Sequence, residues 1–441
     1  MIQIDNLVIG GGLAGTTIAV HLLNQGKEFC VLESASRLGG KIDTLLTPEA
    51  CFEFGPNSFT NQTDDIFDLL EMLGMKEDLL EPSTAAHFRY ILKKGKIIRL
   101  PAGPPEILST QALSLRGKIR FLKEALYVPA KMKDEESIRD FFVRHFGLEV
   151  ADSFADPFVS GIYAGDAAAL SLPEAMPTMA EAEAKSSSLI RHLISQRKTA
   201  KAVPKSYELK QGLASLFQKA EEKLGKERLH LGEQVQEILP QGQTFQVLTD
   251  QNEYETKNLY LTTPAYVSAA LLKKSLPDAS QALSQIDYAP VVTVHLKVPK
   301  KENYPFEGFG ILLPSMEKRR ILGVLWNSSV FPSLFGDQEN HYLTAYAGGV
   351  RRRDLVEAEE SQIRAIVSEE IQDLFTLSST PSILQLRKHS KAIPQYALGY
   401  GKILKTLQQA LSQTPTLKLA GNFIGGISMP KTVTYAVGVT K

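Results

Sequence analysis

The chain has 441 residues, 43% hydrophobic and 22% charged, which is enough apolar sequence for two or three domains with their own cores. Its 49 Lys and Arg are matched by 49 Asp and Glu, so a chain-wide basic surface is excluded and no nucleic-acid partner is expected. Cys30 and Cys51 are the only cysteines, which excludes a disulfide framework and a Cys-rich metal centre; no metal is expected, and a reducing, cytoplasmic setting is.

No apolar run approaches the roughly 20 residues that span a bilayer, and the first residues carry no basic leader or signal-peptide core. Residues 4–9 form a short run rich in β-branched side chains that predicts a buried parallel strand. The turn Gly10-Gly11-Gly12-Leu13-Ala14-Gly15 follows, then a helical run at 17–23 closed by Gly26, then a strand at 29–32 ending at Glu33. Strand, glycine turn, helix, strand and acid in that order form the pattern of a dinucleotide site. Gly10 permits the tight turn, Gly12 lets a pyrophosphate approach the backbone, and Gly15 lets the helix pack closely on the strand. The helix N-terminus presents N–H groups to phosphate, and Glu33 is placed to hydrogen-bond a ribose. His21 reads as packing.

Ser34-Ala35-Ser36-Arg37-Leu38-Gly39-Gly40-Lys41 comes next. This run resembles the second flavin fingerprint of the family that includes amine oxidases, carotenoid desaturases and protoporphyrinogen oxidases. The resemblance implies that Ser34, Arg37, Gly40 and Lys41 lie along the diphosphate and flavin of FAD. It also implies that Gly55, Pro56, Asn57 and Ser58 pass close to the isoalloxazine ring.

Further along, residues 64–80 read as one helix with Ile66, Leu69, Leu70 and Leu73 on a single face. Residues 90–100 read as a hairpin about Lys93-Lys94-Gly95-Lys96. Residues 110–200 read as helical, punctuated by Pro129, Pro157, Pro173 and Pro177. Within them, 121–128 with Arg116, Lys118, Arg120 and Lys123 forms an amphipathic surface element, and 181–206 a solvated helix or linker. A helix at 213–224 precedes strands at 229–238, 245–248 and 258–265. Alternation over 288–350 predicts a second, antiparallel sheet. A strand at 417–420 runs into Gly421-Asn422 and then Gly425-Gly426-Ile427-Ser428-Met429. By resemblance, Val235 meets the adenine, and Gly421, Ile427, Ser428 and Met429 bring a helix N-terminus back to the flavin. Asn422 stands where many flavoenzymes carry Asp.

Three stretches narrow the resemblance. Asp156-Pro157-Phe158-Val159-Ser160-Gly161-Ile162-Tyr163-Ala164-Gly165-Asp166, with Leu170-Ser171-Leu172 after it, is similar to a signature of protoporphyrinogen and coproporphyrinogen oxidases. Residues 392–400 and 308–314 with Gly348-Gly349 resemble two more, so the likeness runs from residue 4 to about 437. It implies that Gly161, Phe309, Leu312 and Tyr346 lie at the substrate. An arginine that clamps a substrate propionate in some relatives is expected after the strand near residue 100, where this chain has Gly103-Pro104-Pro105-Glu106; Arg99 is only a neighbour. Lys93, Lys94, Lys96 and Arg351 to Arg353 are available cations that the sequence does not place.

The fold expected is α/β and α+β: a Rossmann-like, two-dinucleotide-binding FAD domain (1–85, 207–270, 385–441), an antiparallel-sheet substrate domain (86–100, 271–384) and a helical, membrane-associating domain (101–206). The activity implied is oxygen-dependent oxidation of protoporphyrinogen IX to protoporphyrin IX in haem biosynthesis, with coproporphyrinogen III as the alternative substrate. An amine oxidase, a carotenoid desaturase or a non-catalytic flavin scaffold are the other readings. FAD is expected to be non-covalent, because covalent amine oxidases use a C-terminal cysteine and both cysteines here are N-terminal. The partners implied are a porphyrinogen, molecular oxygen, a peripheral contact with the inner face of the cell membrane, and hand-over to a downstream haem-pathway enzyme. No catalytic acid or base is named.

Overall fold

Two seven-stranded sheets organise the chain, each in its own unit. The computed structural model describes residues 1–101, 103–126, 135–186, 188–196, 205–302, 304 and 306–441. One unit consists of Met1–Glu81, Pro204–Asp287 and Gly401–Lys441, the other of Pro82–Val203 and Tyr288–Tyr400.

In the first unit the strand order is Leu229–Leu231, Phe29–Glu33, Ile2–Ile9, Glu253–Leu261, Thr244–Thr249, Val235–Gln241, and Leu417–Leu419 also pairs with Glu253–Leu261. The pairs that link Leu229–Leu231, Phe29–Glu33, Ile2–Ile9, Glu253–Leu261 and Leu417–Leu419 are all parallel, and the last two strands of the path form an antiparallel meander. Parallel strands are covered on both faces and so run apolar; Leu7, Val8, Val31, Leu32, Leu259 and Leu261 are all buried. Helices Leu13–Asn24, Ser215–Leu224 and Met429–Val439 contribute Ile18, Leu22, Phe217, Leu224 and Val433 to the same core. Each such side chain adds about 1.5–3 kcal/mol by leaving water.

The helix expected at 64–80 is shorter, Asp65–Met72. Gly74, at φ +72°, ends it: its N–H donates to the Glu71 carbonyl, and the Met75 N–H donates to the Leu70 carbonyl. This pair of bonds satisfies the last carbonyls and turns the chain out of the helix. Leu79–Leu80 is then free to pair with Ser206–Leu209.

The second sheet has the order Ser382–Pro394, Tyr288–Pro299, Asn340–Gly348, Ile321–Leu325, Gly310–Leu312, Arg89–Lys93, Lys96–Arg99. It departs from the expected antiparallel sheet in one place, since Gly310–Leu312 runs parallel to Arg89–Lys93. The early hairpin is separated from that strand by some two hundred residues, among them the helical segment, Pro204–Asp287 and strand Tyr288–Pro299, so nothing forces the two to reverse direction. The hairpin turns at Lys94 and Gly95, both at positive φ, as its Lys-Gly pair suggests. One face packs Val292, Val294, Ile311, Val324, Leu343 and Ala345 against helix Glu360–Phe375. Strand Ser382–Pro394 belongs to this sheet, although residues from 385 onward read from sequence as part of the dinucleotide domain.

Helices Leu115–Lys123, Ile138–Phe146, Asp156–Tyr163, Pro177–Lys185 and Leu189–Gln196 fall in the same unit as this sheet. Pro177–Lys185 has no fully buried residue, although its Glu183 side chain bonds Arg144 and His145, and Leu189 and Ile190 are buried. Pro129, residues 127–128 of the amphipathic stretch and 197–204 of the expected linker lie outside the described residues. Among the described residues no helix is long and apolar enough to cross a membrane.

Candidate functional site

In the first unit the segments singled out from sequence gather at the carboxyl ends of the parallel strands, where open α/β sheets hold their ligands. Ile9 lies beside Leu32 and Leu261, and Leu261 beside Leu419. Gly10 turns the chain at φ +103°, and its N–H donates to the Leu32 carbonyl at 2.8 Å. A Cβ on Gly15 would lie 1.9 Å from the Gly10 carbonyl oxygen, whereas one on Gly12 would meet nothing within 4 Å. Gly15 is therefore closed by packing and Gly12 opens onto the site. Gly12 caps helix Leu13–Asn24 in an extended conformation without a side-chain cap, and the first turn carries no acidic residue. The same holds for Ser428 at the start of helix Met429–Val439. Two helix N-termini thus offer uncapped donors with no acidic residue in their first turns.

The second glycine pair sits on the first. The Gly39 N–H donates to the Gly11 carbonyl at 2.8 Å, and a Cβ on Gly40 would come 3.4 Å from Gly12 Cα. Glu33 accepts from Gly11 N–H at 2.6 Å and Ala35 N–H at 2.8 Å, with the Ser34 hydroxyl at 3.2 Å. Its Oε2, which accepts only from Gly11, keeps a lone pair for a further hydroxyl. The Gly232 and Glu233 N–H groups bond to the Ala35 and Glu33 carbonyls, which brings Val235 to this end of the sheet from two hundred residues away. Arg37 turns inward. Its guanidinium donates to the carbonyls of Leu38, Ile42 and Gly40 and pairs with Asp43 at 3.4 Å, so it holds the glycine loop in shape. Gly55 packs against the Lys41 backbone, where a Cβ would lie 2.5 Å from the carbonyl oxygen, and Pro56, Asn57 and Ser58 follow half-buried. Burial pulls the Lys41 ammonium down to about 8. Gly421 and Gly426 have positive φ, and the Ile427–Met429 turn carries the chain into its last helix, where Ser428 Oγ reaches Gln62 at 3.4 Å. The open backbone over Gly12, the two uncapped helix ends and the acid at Glu33 fit a dinucleotide diphosphate with its ribose.

Sequence reasoning missed two buried carboxyls in this unit. Glu53 accepts from Leu213 N–H at 2.9 Å and Thr44 Oγ1 at 2.7 Å, and Glu208 from Leu209 N–H at 3.0 Å. Burial pushes Glu53 up to about 8; burial and then the charge of Glu53 push Glu208 well above the carboxylate range.

In the second unit Gly161, Leu312 and Tyr346 come together and Phe309 stands beside them. Gly161 lies inside helix Asp156–Tyr163, where glycine costs about 1 kcal/mol relative to alanine. A Cβ there would lie 2.5 Å from Leu312 Cδ2. Across the sheet Leu312 pairs with Gly323, Gly323 with Tyr346 and Tyr346 with Thr293, one row on the face away from the core. Leu312 and Tyr346 are half-buried, and Gly323 between them adds no side chain. The row forms a shallow apolar surface suited to a flat apolar group. Phe309 precedes the strand, half-exposed, with the Arg89 guanidinium 5.0 Å from its ring centroid.

Arg89 is the other residue that sequence reasoning missed. Desolvation lowers its pKa, and among the described residues its side chain forms no hydrogen bond or ion pair. Most of the cations singled out instead are engaged: Lys93 by Glu149 at 2.8 Å, Arg99 by Glu106 at 3.6 Å, Arg351 by Asp156 and Asp166, Arg352 by Asp354, and Arg353 by the Tyr288 carbonyl. Lys94 and Lys96 are exposed at the hairpin turn. The signal for Arg89 is its place on the strand beside Gly310–Leu312, and that pairing is not visible in sequence.

Comparison with known proteins matches residues 13–434 to the family model described as flavin containing amine oxidoreductase. The mitochondrial protoporphyrinogen oxidase of Nicotiana tabacum is 28% identical, over 96% of this chain and 91% of that protein. The coproporphyrinogen III oxidase of Bacillus subtilis (strain 168) is 26% identical, over 96% and 94%. Among solved structures, a candidate protoporphyrinogen oxidase from Exiguobacterium sp. 255-15 shares the fold with a TM-score of 0.85, at 22% identity over 100% of this chain and 98% of that one.

Proposed function

The chain belongs to the flavin-containing amine oxidoreductase family and is an FAD-dependent oxidoreductase; from that premise we propose that it oxidises a porphyrinogen to the conjugated porphyrin. The observation that carries this is the row Leu312–Gly323–Tyr346 under Gly161, a flat apolar surface with the Arg89 cation, which forms no ion pair among the described residues, on the same sheet. A porphyrinogen is a broad apolar macrocycle with carboxylates at its rim, and this surface complements both parts. Since most of the other cations singled out are engaged, the less charged protoporphyrinogen IX suits the site better than coproporphyrinogen III, which has two more propionates.

Bound FAD supplies the two-electron acceptor, and three two-electron oxidations with oxygen as final acceptor balance as porphyrinogen plus three O2 giving porphyrin plus three H2O2. The residues that would hold it are Gly10 to Gly15, Glu33, Ser34, Gly40, Lys41, the 55–58 loop, Val235, Gly421 and Ile427 to Met429, with Arg37 shaping the loop. Leu312, Tyr346 and Phe309 orient the macrocycle and keep water from its face, and Gly161 lets the helix close onto Leu312. FAD is held without a covalent bond: both cysteines are buried, and burial raises both thiols, Cys30 to about 12, away from reactive thiolate. Acid precipitation should leave flavin in the supernatant; flavin retained in the pellet would contradict non-covalent binding.

A peripheral lipid contact is part of the same proposal. Leu115, Ile119, Leu122 and Leu126 are exposed at helical spacing on and just after helix Leu115–Lys123, with Arg116, Lys118 and Lys123 among them. Co-sedimentation with anionic vesicles at low salt is expected, and none would remove this part. Hand-over of the poorly soluble porphyrin to the downstream haem-pathway enzyme belongs here too. The substrate is tested by feeding both porphyrinogens side by side and following porphyrin fluorescence. Faster growth from protoporphyrinogen is expected; faster growth from coproporphyrinogen would reverse the order.

A further inference from the structure

The helix Asp156–Tyr163 carries Gly161 and continues, through the π-helical turn Ala151–Ala155, the helical run that begins at Leu148. Beside its buried apolar side chains, polar bonds on either side of Gly161 tie it to the sheet. Arg351 Nη2 bonds Asp156 Oδ1 at 2.6 Å, five residues before Gly161, and Asp166 Oδ1 at 3.0 Å, just past the last turn, while Nε reaches Asp166 Oδ2 at 3.4 Å. Asp156 is buried, and its other oxygen accepts from Ser315 N–H at 2.8 Å, beyond the end of strand Gly310–Leu312. Asp166 Oδ1 also accepts from Ala168 N–H at 2.9 Å. At the helix end Ala164 takes a left-handed conformation, φ +47°, and its carbonyl accepts from Val350 N–H at 2.9 Å. A Cβ on Gly349 would lie 2.7 Å from that carbonyl oxygen, so the turn after strand Asn340–Gly348 comes close only because it is glycine. One guanidinium therefore joins residues on either side of Gly161 to the end of the strand that carries Tyr346.

We propose that Arg351 is a positioning residue: by bridging Asp156 and Asp166 it fixes the helix across the sheet, with Gly161 against Leu312, and so sets the shape of the Leu312–Tyr346 row that receives the substrate. The inference rests on the porphyrinogen reading for its kinetic consequence but not for its geometry. A planar fork can hold two carboxylates at once, and a single ammonium holds them less well. Loss of the bridge lets the helix shift against Leu312, which weakens binding of the macrocycle, while the cradle of the first unit is untouched.

The test compares FAD-loaded wild type, Arg351→Lys and Arg351→Met in kinetics, flavin content and amide hydrogen exchange over 157–164. Arg351→Met should raise KM about tenfold with kcat changed less than about threefold, and Arg351→Lys should fall between. Flavin content should stay at the wild-type level, and exchange over 157–164 should quicken about tenfold. A KM within about twofold of wild type, or unchanged exchange, would overturn the inference. A purely structural role would instead lower flavin content and melting temperature together and leave KM alone. If Arg351→Met does not fold, Asp166→Asn, which removes one of the two carboxylates, is read by the same measures. If wild type oxidises neither porphyrinogen, the substrate reading fails, and the exchange data alone decide whether Arg351 holds the helix.

Discussion

The cradle of the first unit is built almost wholly from backbone, while the sheet face of the second is built from side chains that meet across strands far apart in sequence. In the cradle Gly10, Gly12, Gly15, Gly39 and Gly40 act by lacking a side chain, and their bonds run between neighbouring turns. In the sheet face Leu312, Gly323 and Tyr346 act by register, and Gly161 and Arg89 reach them from elsewhere in the chain. A site made of backbone tolerates drift in most side chains and is recognised in many enzymes. A site made of register is where specificity is set, and it can change without touching the cofactor.

Substitutions should separate the two regions. Gly15→Val meets the Gly10 carbonyl at a distance no real Cβ adopts, so the first unit should fail to fold or lose several kcal/mol, roughly 4. Gly12→Val meets open space, so the chain should fold and lose flavin instead. Flavin absorbance per protein alongside circular dichroism distinguishes the pair, and a folded, yellow Gly15→Val protein would break the account of the cradle.

Gly161→Val should leave flavin content intact and cut kcat/KM by about 100-fold, near 3 kcal/mol, because the added atoms push on Leu312. The smaller Gly161→Ala should cost less, and helix propensity even favours it by about 1 kcal/mol. Equal flavin loss in both would mean that the two regions are not separable.

Glu53 and Glu208 give the first unit a pH dependence of its own. Their folded-state pKa values are raised above the ordinary carboxylate value, so the folded state binds more protons than the unfolded one. Stability should therefore fall as pH rises from about 4.5 through about 8, where Glu53 loses its proton in the folded state. Glu208→Gln should raise stability at pH 8 by about 2 kcal/mol and flatten this slope. Urea titrations at pH 5 and pH 8 check it; a Glu208→Gln protein less stable at pH 8 would show that the pair is held by attraction instead.

Arg89→Ala should raise KM about tenfold, near 1.4 kcal/mol, with kcat nearly unchanged, since it removes a rim contact made alike throughout the reaction. An effect on kcat without one on KM would move Arg89 away from substrate binding.

The contrast also explains what was legible in the sequence. Gly10 to Gly15, the following helix and Glu33 lie within one continuous stretch, and each signal there needs only its neighbours. The hairpin Arg89–Arg99 is legible for the same reason, since Lys94-Gly95 marks its turn. The parallel pairing of Arg89–Lys93 with Gly310–Leu312 is not, because the partner strand arrives some two hundred residues later and no local pattern marks which edge it joins. Arg89 was overlooked on that account. Arg37 could be placed in its loop, but that its guanidinium turns towards the carbonyls of Leu38, Gly40 and Ile42 depends on the loop's folded shape. Glu53 and Glu208 lie in short strands whose acidic residues would ordinarily face solvent, and only tertiary packing buries them.

The most direct test of a flavin-dependent porphyrinogen oxidase is to mix the purified yellow protein anaerobically with protoporphyrinogen IX, follow flavin colour and porphyrin fluorescence together, and then admit air. The flavin should bleach on mixing, and on exposure to air its colour should return while porphyrin fluorescence grows over repeated turnovers. Colour that persists on mixing, with no porphyrin formed from either protoporphyrinogen or coproporphyrinogen, would contradict the proposed function.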